Sequence, residues 1–270
     1  MSKKILITGA SKGFGKLWAE AFLERGDQVA VTARDINALK DLTEKYGDAV
    51  VPIRLDVNNR ADCFQAVNEA NEKLGGIDVL FNNAGYGLIG AIEETSEEQV
   101  RSQMETNFFG LVWLSQAVLP IMRAQGSGHI IQTSSYLGLV TIPLFGLYNA
   151  SKFAVEGFSA TLASEVKSFG INVTLIEPNG YKTDWAGSSQ VQTESLAEYD
   201  QLRKHMQDRV TPDFFGEPTH TVDAVLKLVD AENPPLHLLF GKVAYPAVKQ
   251  AYDKKIEEFE LWKDVSESAH

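Results

Sequence analysis

Ile5-Leu6-Ile7-Thr8-Gly9-Ala10-Ser11-Lys12-Gly13-Phe14-Gly15 is the stretch that decides the architecture. A short apolar run meets three glycines, and the helical pattern of Leu17, Ala21 and Phe22 follows, so the stretch reads as strand, tight turn and helix. Glycine lets the backbone approach a pyrophosphate, while the unpaired amides and dipole at a helix start stabilise its negative charge. Gly9, Ser11, Lys12, Gly13, Phe14 and Gly15 are therefore candidate cofactor-binding residues. The glycine spacing differs from the G-x-G-x-x-G form. Any two of these glycines suit an ordinary turn, whereas all three together favour a nucleotide site.

Outward from this turn the alternation repeats. Strand signals fall at 29–32, 50–55, 79–82, 129–133, 171–176 and 236–239, and helical signals at 36–46, 61–74, 148–169 and 222–229. Thr95-Ser96-Glu97-Glu98 offers an N-cap and opens a long helical region reaching about 122. Strands separated by helices predict βαβ crossovers, hence an α/β, doubly wound parallel sheet of about seven strands with helices on both faces. No linker, repeat or low-complexity tract divides the chain, so residues 1–270 are expected to form one domain. Between 178 and 218 the pattern gives way to a polar stretch dotted with aromatic residues, and 183–218 is expected to form a substrate lid. Tyr245, Val248, Tyr252, Ile256, Phe259 and Trp262 mark an amphipathic C-terminal helical extension at 243–264, suited to covering the core or contacting another subunit.

Composition narrows the class. Hydrophobic residues make up 44% and charged residues 23% of the chain, the balance of a packed globular protein. The net charge of -11 argues against broad binding to nucleic acid or anionic membrane. Cys63 is the only cysteine, which excludes an intrachain disulfide and a cysteine-based metal cluster, and no metal site is expected. Residues 1–4 lead straight into the first strand without a leader pattern, and no apolar run approaches the ~20 residues a bilayer requires. A cytoplasmic setting is expected.

The end of the second strand bears on cofactor choice. A site selecting NAD offers a carboxylate to the ribose there. In Val31-Thr32-Ala33-Arg34-Asp35 the corresponding position is Ala33, with a guanidinium next door at Arg34 and a carboxylate one step late at Asp35. Arg34 suits bidentate contact with a 2′-phosphate, and Lys12 adds a second positive charge, so NADP(H) is expected over NAD. Asp56, with Val57 beside it, closes the third strand and suits an adenine amino group or a helix cap. Asn82-Asn83-Ala84-Gly85 closes the fourth strand, where small residues allow close approach to a ribose.

Tyr148 and Lys152 stand four residues apart and so share one face of a helix. A neighbouring ammonium favours the phenolate, so Lys152 is expected to lower the pKa of Tyr148 and fit it for proton transfer. Thr133-Ser134-Ser135 ends the fifth strand, 13 residues before Tyr148, and Asn107 lies in the preceding long helix. Jointly, the glycine turn, Asn82 to Gly85, Asn107, Ser135, Tyr148 and Lys152 resemble the short-chain dehydrogenase/reductase family in order and spacing, over roughly residues 4–185. The resemblance implies a Rossmann-type fold and a catalytic tetrad of Asn107, Ser135, Tyr148 and Lys152. Tyr148 would give or take the proton of the substrate oxygen. Ser135 would hydrogen-bond that oxygen, Lys152 would bond the nicotinamide ribose, and Asn107 would hold a water linking Lys152 to solvent. Ser134 reads as backbone support. A homodimer or homotetramer is implied, built through the two long helices.

Pro178-Asn179-Gly180 departs from the family's Pro-Gly, with Asn expected to adopt left-handed backbone angles and to intrude near the nicotinamide. Thr183 matches the residue that contacts the carboxamide. Tyr86, Leu88, Leu137, Pro143, Phe145 and Trp185 are expected pocket walls, suiting an apolar small-molecule ketone or secondary alcohol. The reading is an NADP-dependent carbonyl reductase or alcohol dehydrogenase. The alternatives are an NADP-binding redox sensor without turnover and an epimerase or dehydratase that retains its nicotinamide.

Overall fold

The computed structural model describes residues 2–183 and 190–270. The strands in chain order are β1 (Lys4–Ile7), β2 (Gln28–Ala33), β3 (Val50–Arg54), β4 (Val79–Asn82), β5 (Leu88–Ile89), β6 (Gly128–Thr133), β7 (Ile171–Pro178), β8 (Val191–Gln192) and β9 (His237–Phe240). Seven of them form one parallel sheet in the order β3-β2-β1-β4-β6-β7-β9. The helices are α1 (Gly13–Arg25), α2 (Lys40–Tyr46), α3 (Arg60–Leu74), α4 (Glu97–Met104), α5 (Gly110–Gln125), α6 (Gly146–Val166), α7 (Asp200–Asp208), α8 (Val222–Asp230), α9 (Ala244–Leu261) and α10 (Lys263–Ser268). This is the Rossmann-type, doubly wound arrangement expected from the sequence.

The pleat explains why the strands read as continuous apolar runs. Ile5, Ile7, Val29, Val31 and Phe81 pack on one face with Trp18 and Phe22 of α1 and Leu228 of α8. Their chain neighbours Leu6, Ala30 and Leu80 pack on the other face with Ala66 of α3, Leu114 of α5 and Leu162 of α6. Ordering each residue costs about 1–2 kcal/mol, and burying a large apolar side chain returns about 1.5–3 kcal/mol. Central strands buried on both faces are where that balance is most favourable. The Trp18 indole N–H donates to Thr221 Oγ1 at 2.9 Å, so burying this ring leaves no orphaned donor.

Four local features differ from the sequence expectation. Residues 36–46 begin as a 3-10 turn (Ile36–Leu39) before α2. The long helical region is two helices, α4 and α5, joined by a π-helical turn at Glu105–Phe109 that turns Asn107 inward. The 178–218 stretch contributes β8, which pairs in parallel with β5, and the helix α7. In the C-terminal extension, Ala244, Ala247 and Val248 pack beside Tyr136 and Leu137, whereas Tyr252, Ile256, Phe259 and Trp262 are exposed, so the apolar stripe covers the core only over its first turns. Among the described residues, no helix is long and apolar enough to cross a membrane.

Candidate active site

Strand order reverses between β1 and β4, and a cleft of about 1090 Å³ opens beyond the carboxyl ends of these strands. Gly9, Ser11, Lys12, Gly13 and Phe14 form one wall of it. Arg34, Asp56 and Val57 continue that wall from β2 and β3, while Asn83, Ala84 and Gly85 border it from β4. Ser135, Tyr148, Lys152, Pro178 and Thr183 complete it.

The glycine turn is held by the end of β4. The Thr8 hydroxyl accepts from the amides of Asn83 (3.0 Å) and Ala84 (3.1 Å), and Asn83 Nδ2 donates to the carbonyls of Thr8 (3.0 Å) and Gly9 (3.2 Å). Gly9 and Gly13 have φ of 66° and 58°, angles that a side chain disfavours, and a Cβ at Gly9 would lie 3.0 Å from Ala84 Cα. Close-approaching backbone at a helix start is the cradle a dinucleotide pyrophosphate requires, so these residues fit such a cofactor. Gly15 is set back from the cleft. A Cβ there would lie 2.4 Å from the Gly9 carbonyl oxygen, so Gly15 acts on the cofactor wall through Gly9.

The chemical groups converge at the other end. Ser135, extended at the end of β6, accepts from the Leu137 amide at 3.1 Å, approaches the Pro178 carbonyl at 3.4 Å and is hydrogen-bonded to Tyr148. Tyr148 and Lys152 are both buried on α6, with the ammonium 5.7 Å from the phenol ring centre and donating to the Thr133 carbonyl at 2.8 Å. Burial is the largest influence on both groups. It holds the Tyr148 phenol above its usual range against the Ser135 hydrogen bond, and it pushes the Lys152 ammonium down to about 8 against the charge of Glu156. The expectation that Lys152 lowers the Tyr148 pKa is thus corrected: desolvation of the phenolate dominates, and the influence opposing it is the Ser135 hydrogen bond.

Asn107 lies in the π-helical turn between α4 and α5. It is buried behind the cleft, where Oδ1 accepts from the Tyr86 amide at 3.0 Å and Nδ2 donates to the Tyr86 carbonyl (3.0 Å) and Ser151 Oγ (3.1 Å). Its amide braces the loop after β4 against α6 at Ser151, the residue before Lys152. Ser134 also borders the cleft, and its hydroxyl donates to Glu156 Oε1 at 2.5 Å, in keeping with a supporting role.

Asn179 has no left-handed backbone, since Leu144 (φ 67°) is the only non-glycine residue with positive φ among those described. Its amide lies against Gly241 and donates to the carbonyls of Gly180 (3.0 Å) and Phe214 (2.8 Å), tying the end of β7 to the 211–216 segment. Asn179→Ala should cost about 1–3 kcal/mol, because the Phe214 carbonyl loses its donor, whereas the Gly180 carbonyl keeps the Gly216 amide at 2.9 Å. Limited proteolysis should then cut the 211–216 segment faster than in the parent protein; an unchanged cleavage rate would show that the tether is dispensable.

Of the expected pocket walls, Tyr86, Leu137 and Phe145 line the cleft, Leu88 and Pro143 do not, and Trp185 lies outside the described residues. Sequence reading missed Arg203, Met206 and Val210, which line the cleft from α7 and just beyond it, while Phe214 and Phe215, two of the aromatic residues in the expected lid, line it as well. The helical spacing of 199, 203, 206 and 210 was the available signal. Glu94 was also missed. Its side chain is fully buried, accepts from the Ala91 and Leu196 amides at 2.8 Å and from Thr193 Oγ1 at 3.1 Å, and pairs with Arg203. Those bonds hold its carboxyl well below the usual range, at about 2, the Arg203 contact foremost.

The short chain dehydrogenase family profile matches residues 3–194. Oxidoreductase BOA17 of Botryotinia fuckeliana is 42% identical over 275 residues, covering 98% of each chain. The 3-ketodihydrosphingosine reductase of Bacteroides thetaiotaomicron is 39% identical, covering 88% of this chain and 87% of its own. Among solved structures, a short-chain dehydrogenase from Streptomyces avermitilis superposes with a TM-score of 0.93 at 35% identity, over 100% of this chain and 99% of its own. The chain belongs to the short-chain dehydrogenase family of oxidoreductases, whose members bind nicotinamide cofactors and act on small molecules.

Proposed function

We propose that this protein interconverts an apolar ketone or aldehyde and the corresponding alcohol with NADP(H), reduction being the favoured direction, and that Tyr148 is the general acid and base. The observation that carries the reading is the convergence of Ser135, Tyr148 and Lys152 on one cleft, with the phenol and the serine hydroxyl hydrogen-bonded to each other. When bound, the nicotinamide supplies or accepts the hydride. Ser135 bonds the substrate oxygen and favours the negative charge that develops there. Tyr148 delivers the proton to that oxygen. Lys152 bonds the nicotinamide ribose and keeps a positive charge beside the reacting oxygen. Asn107 positions the Tyr86 loop against α6.

The choice of NADP(H) rests on charge. Ala33 leaves no carboxylate at the end of β2, and Asp35 is engaged in a local cap, its Oδ1 accepting from the Asn37 amide at 2.9 Å and from Asn37 Nδ2 at 3.0 Å. Arg34 and Lys12 stand on the cleft wall instead. Arg34→Ala should raise KM for NADPH by about 10–100-fold, the worth of a hydrogen bond to a charged group, and leave KM for NADH nearly unchanged. Steady-state kinetics with both cofactors checks this, and an unaltered NADPH preference would refute it.

Tyr86, Leu137, Phe145, Met206 and Phe214 at the substrate end support an apolar carbonyl compound, in keeping with the relative named for reducing 3-ketodihydrosphingosine. The 183–218 segment would close over that substrate. The proposed setting is cytoplasmic and the proposed assembly a homodimer or homotetramer. The exposed Tyr252, Ile256, Phe259 and Trp262 offer apolar surface for subunit contact. A panel of ketones and alcohols assayed through cofactor absorbance with both cofactors tests the whole reading. Turnover without net cofactor oxidation would favour an epimerase or dehydratase, and cofactor binding without any turnover would favour a sensor.

A further inference from the structure

Glu156 and Glu177 stand immediately behind the proposed catalytic groups, and none of the roles described above uses them. Glu156 lies one helical turn beyond Lys152 on α6, and Glu177 immediately precedes Pro178 on β7. Both side chains are buried, Glu177 completely. Beside both stands His237 at the start of β9, its side chain half exposed to solvent, with Nδ1 2.6 Å from Glu177 Oε1 and 3.5 Å from Glu156 Oε2. Taken as two carboxylates, the pair leaves Glu156 Oε2 and Glu177 Oε2 buried without a hydrogen bond, the former with His237 Nδ1 3.5 Å away. Two anionic oxygens without hydrogen bonds at this depth would be costly. Yet a carboxylate oxygen of each side chain and a ring nitrogen of His237 lie within 4.8 Å of one another, and a bond between two carboxyl groups requires a proton on one of them.

We propose that Glu156 and Glu177 hold a single proton between them, with His237 as its exit to solvent, and that the singly protonated pair is a clamp that positions Ser135 against Tyr148. Three segments bearing catalytic atoms meet on it. Ser134, next to Ser135, donates to Glu156 at 2.5 Å. The turn following Ser135 lies directly on Glu156, since a Cβ at Gly138 would be 2.9 Å from Glu156 Cγ and 3.0 Å from the Lys152 carbonyl oxygen. Glu177 fixes the strand end from which the Pro178 carbonyl contacts Ser135 Oγ at 3.4 Å. Loss of the shared proton would set two buried carboxylates against each other where these segments join. Glu156 and Glu177 are thus positioning residues, and the clamp rests on the proposed roles of Ser135 and Tyr148.

The surrounding electrostatics agree. Burial holds both carboxyls above their usual range, opposed at Glu156 by the Ser134 bond and by the charges of His237 and Lys152. The titratable groups facing the pair are Lys152 on α6, His237 on β9 and, from α9, Tyr252. A carboxyl whose folded pKa is raised takes up a proton on folding, so the stability it contributes is present at low pH. That contribution is lost as pH rises from the ordinary carboxylate range through the raised folded value.

The test uses the full-length protein and two readouts that need no turnover. Infrared spectra at pH 7 should show a protonated carboxyl C=O band that vanishes as pH is raised and is absent from Glu156→Gln and from Glu177→Gln. Between pH 6 and 9 the melting temperature of the parent protein should fall by about 2–4 °C more than that of Glu177→Gln. The alkaline limb of the kcat profile for carbonyl reduction should move with the same change. A missing band at pH 7, or equal melting slopes in parent and variant, would overturn the proposal. So would a melting temperature that falls on chelation and recovers with zinc or manganese, because a cation rather than a proton would then neutralise the pair. Since the band and the melting slopes are read without substrate, a protein that fails to reduce any carbonyl leaves this test standing. Should either variant fail to fold, the pH dependence of the parent's carboxyl band decides alone.

Discussion

Phenylalanine in place of Tyr148 should lower kcat for carbonyl reduction by about 10²–10⁴-fold, the range over which a positioned proton donor contributes, while NADPH binds as before. The substitution removes one oxygen and little else. The ring keeps its burial and its edge contact with Phe145, whose centroid lies 6.2 Å away. Ser135 loses the phenol but retains the Leu137 amide and the Pro178 carbonyl as partners. The stability cost should therefore stay near the ~1 kcal/mol of an ordinary hydrogen bond, too little to explain a large loss of rate through unfolding. Because burial raises the Tyr148 pKa, the phenol holds its proton at neutral pH, as the acid role proposed for it in the reductive direction requires. Activity of Tyr148→Phe within about tenfold of the parent would remove the tyrosine from the mechanism. The decisive measurements are single-turnover reduction rates beside cofactor titrations of both proteins.

The parts of this site that were legible in the sequence are those fixed by local rules. The strand-turn-helix at Gly9 to Gly15, the βαβ alternation and the i, i+4 relation of Tyr148 and Lys152 each follow from a few neighbouring residues, and the sheet order and cleft agree with them. Long-range pairing and burial were not legible. Asn107 could be assigned to a helix but not to the π turn that faces it toward Tyr86, because the extra residue of such a turn leaves no periodic mark. The β5–β8 ribbon joins two strands of two residues each, too short for any alternation to register. The sign of the Tyr148 shift was misread because the spacing reveals the neighbouring charge but not the depth of burial that opposes it. Glu156 and Glu177 look like ordinary solvated acids in the sequence, and only β9 arriving beside β7 places His237 over them and closes them off.

A sharper test of the cofactor wall sets two glycine substitutions against each other. Gly15 and Gly157 both lie within α-helices, so helix propensity alone favours alanine at each by about 0.8–1 kcal/mol. At Gly157 a Cβ meets nothing within 4 Å, and Gly157→Ala should realise that gain as a slightly raised melting temperature with unchanged kinetics. At Gly15 the same atom would lie 2.4 Å from the Gly9 carbonyl oxygen and 2.6 Å from Asn83 Nδ2. Neither neighbour can step aside cheaply. Asn83 holds the Thr8 and Gly9 carbonyls, and Gly9 is already in close contact with Ala84. Crowding of this kind costs about 1–3 kcal/mol, enough to overturn the propensity gain. The displaced atoms belong to the cradle that would receive the pyrophosphate, so Gly15→Ala should also weaken NADPH binding by about tenfold, which corresponds to about 1.4 kcal/mol. Melting curves and cofactor titrations of the two variants separate the effects. If Gly15→Ala bound the cofactor as tightly as Gly157→Ala does, the close packing of helix start, glycine turn and β4 would have no part in cofactor binding.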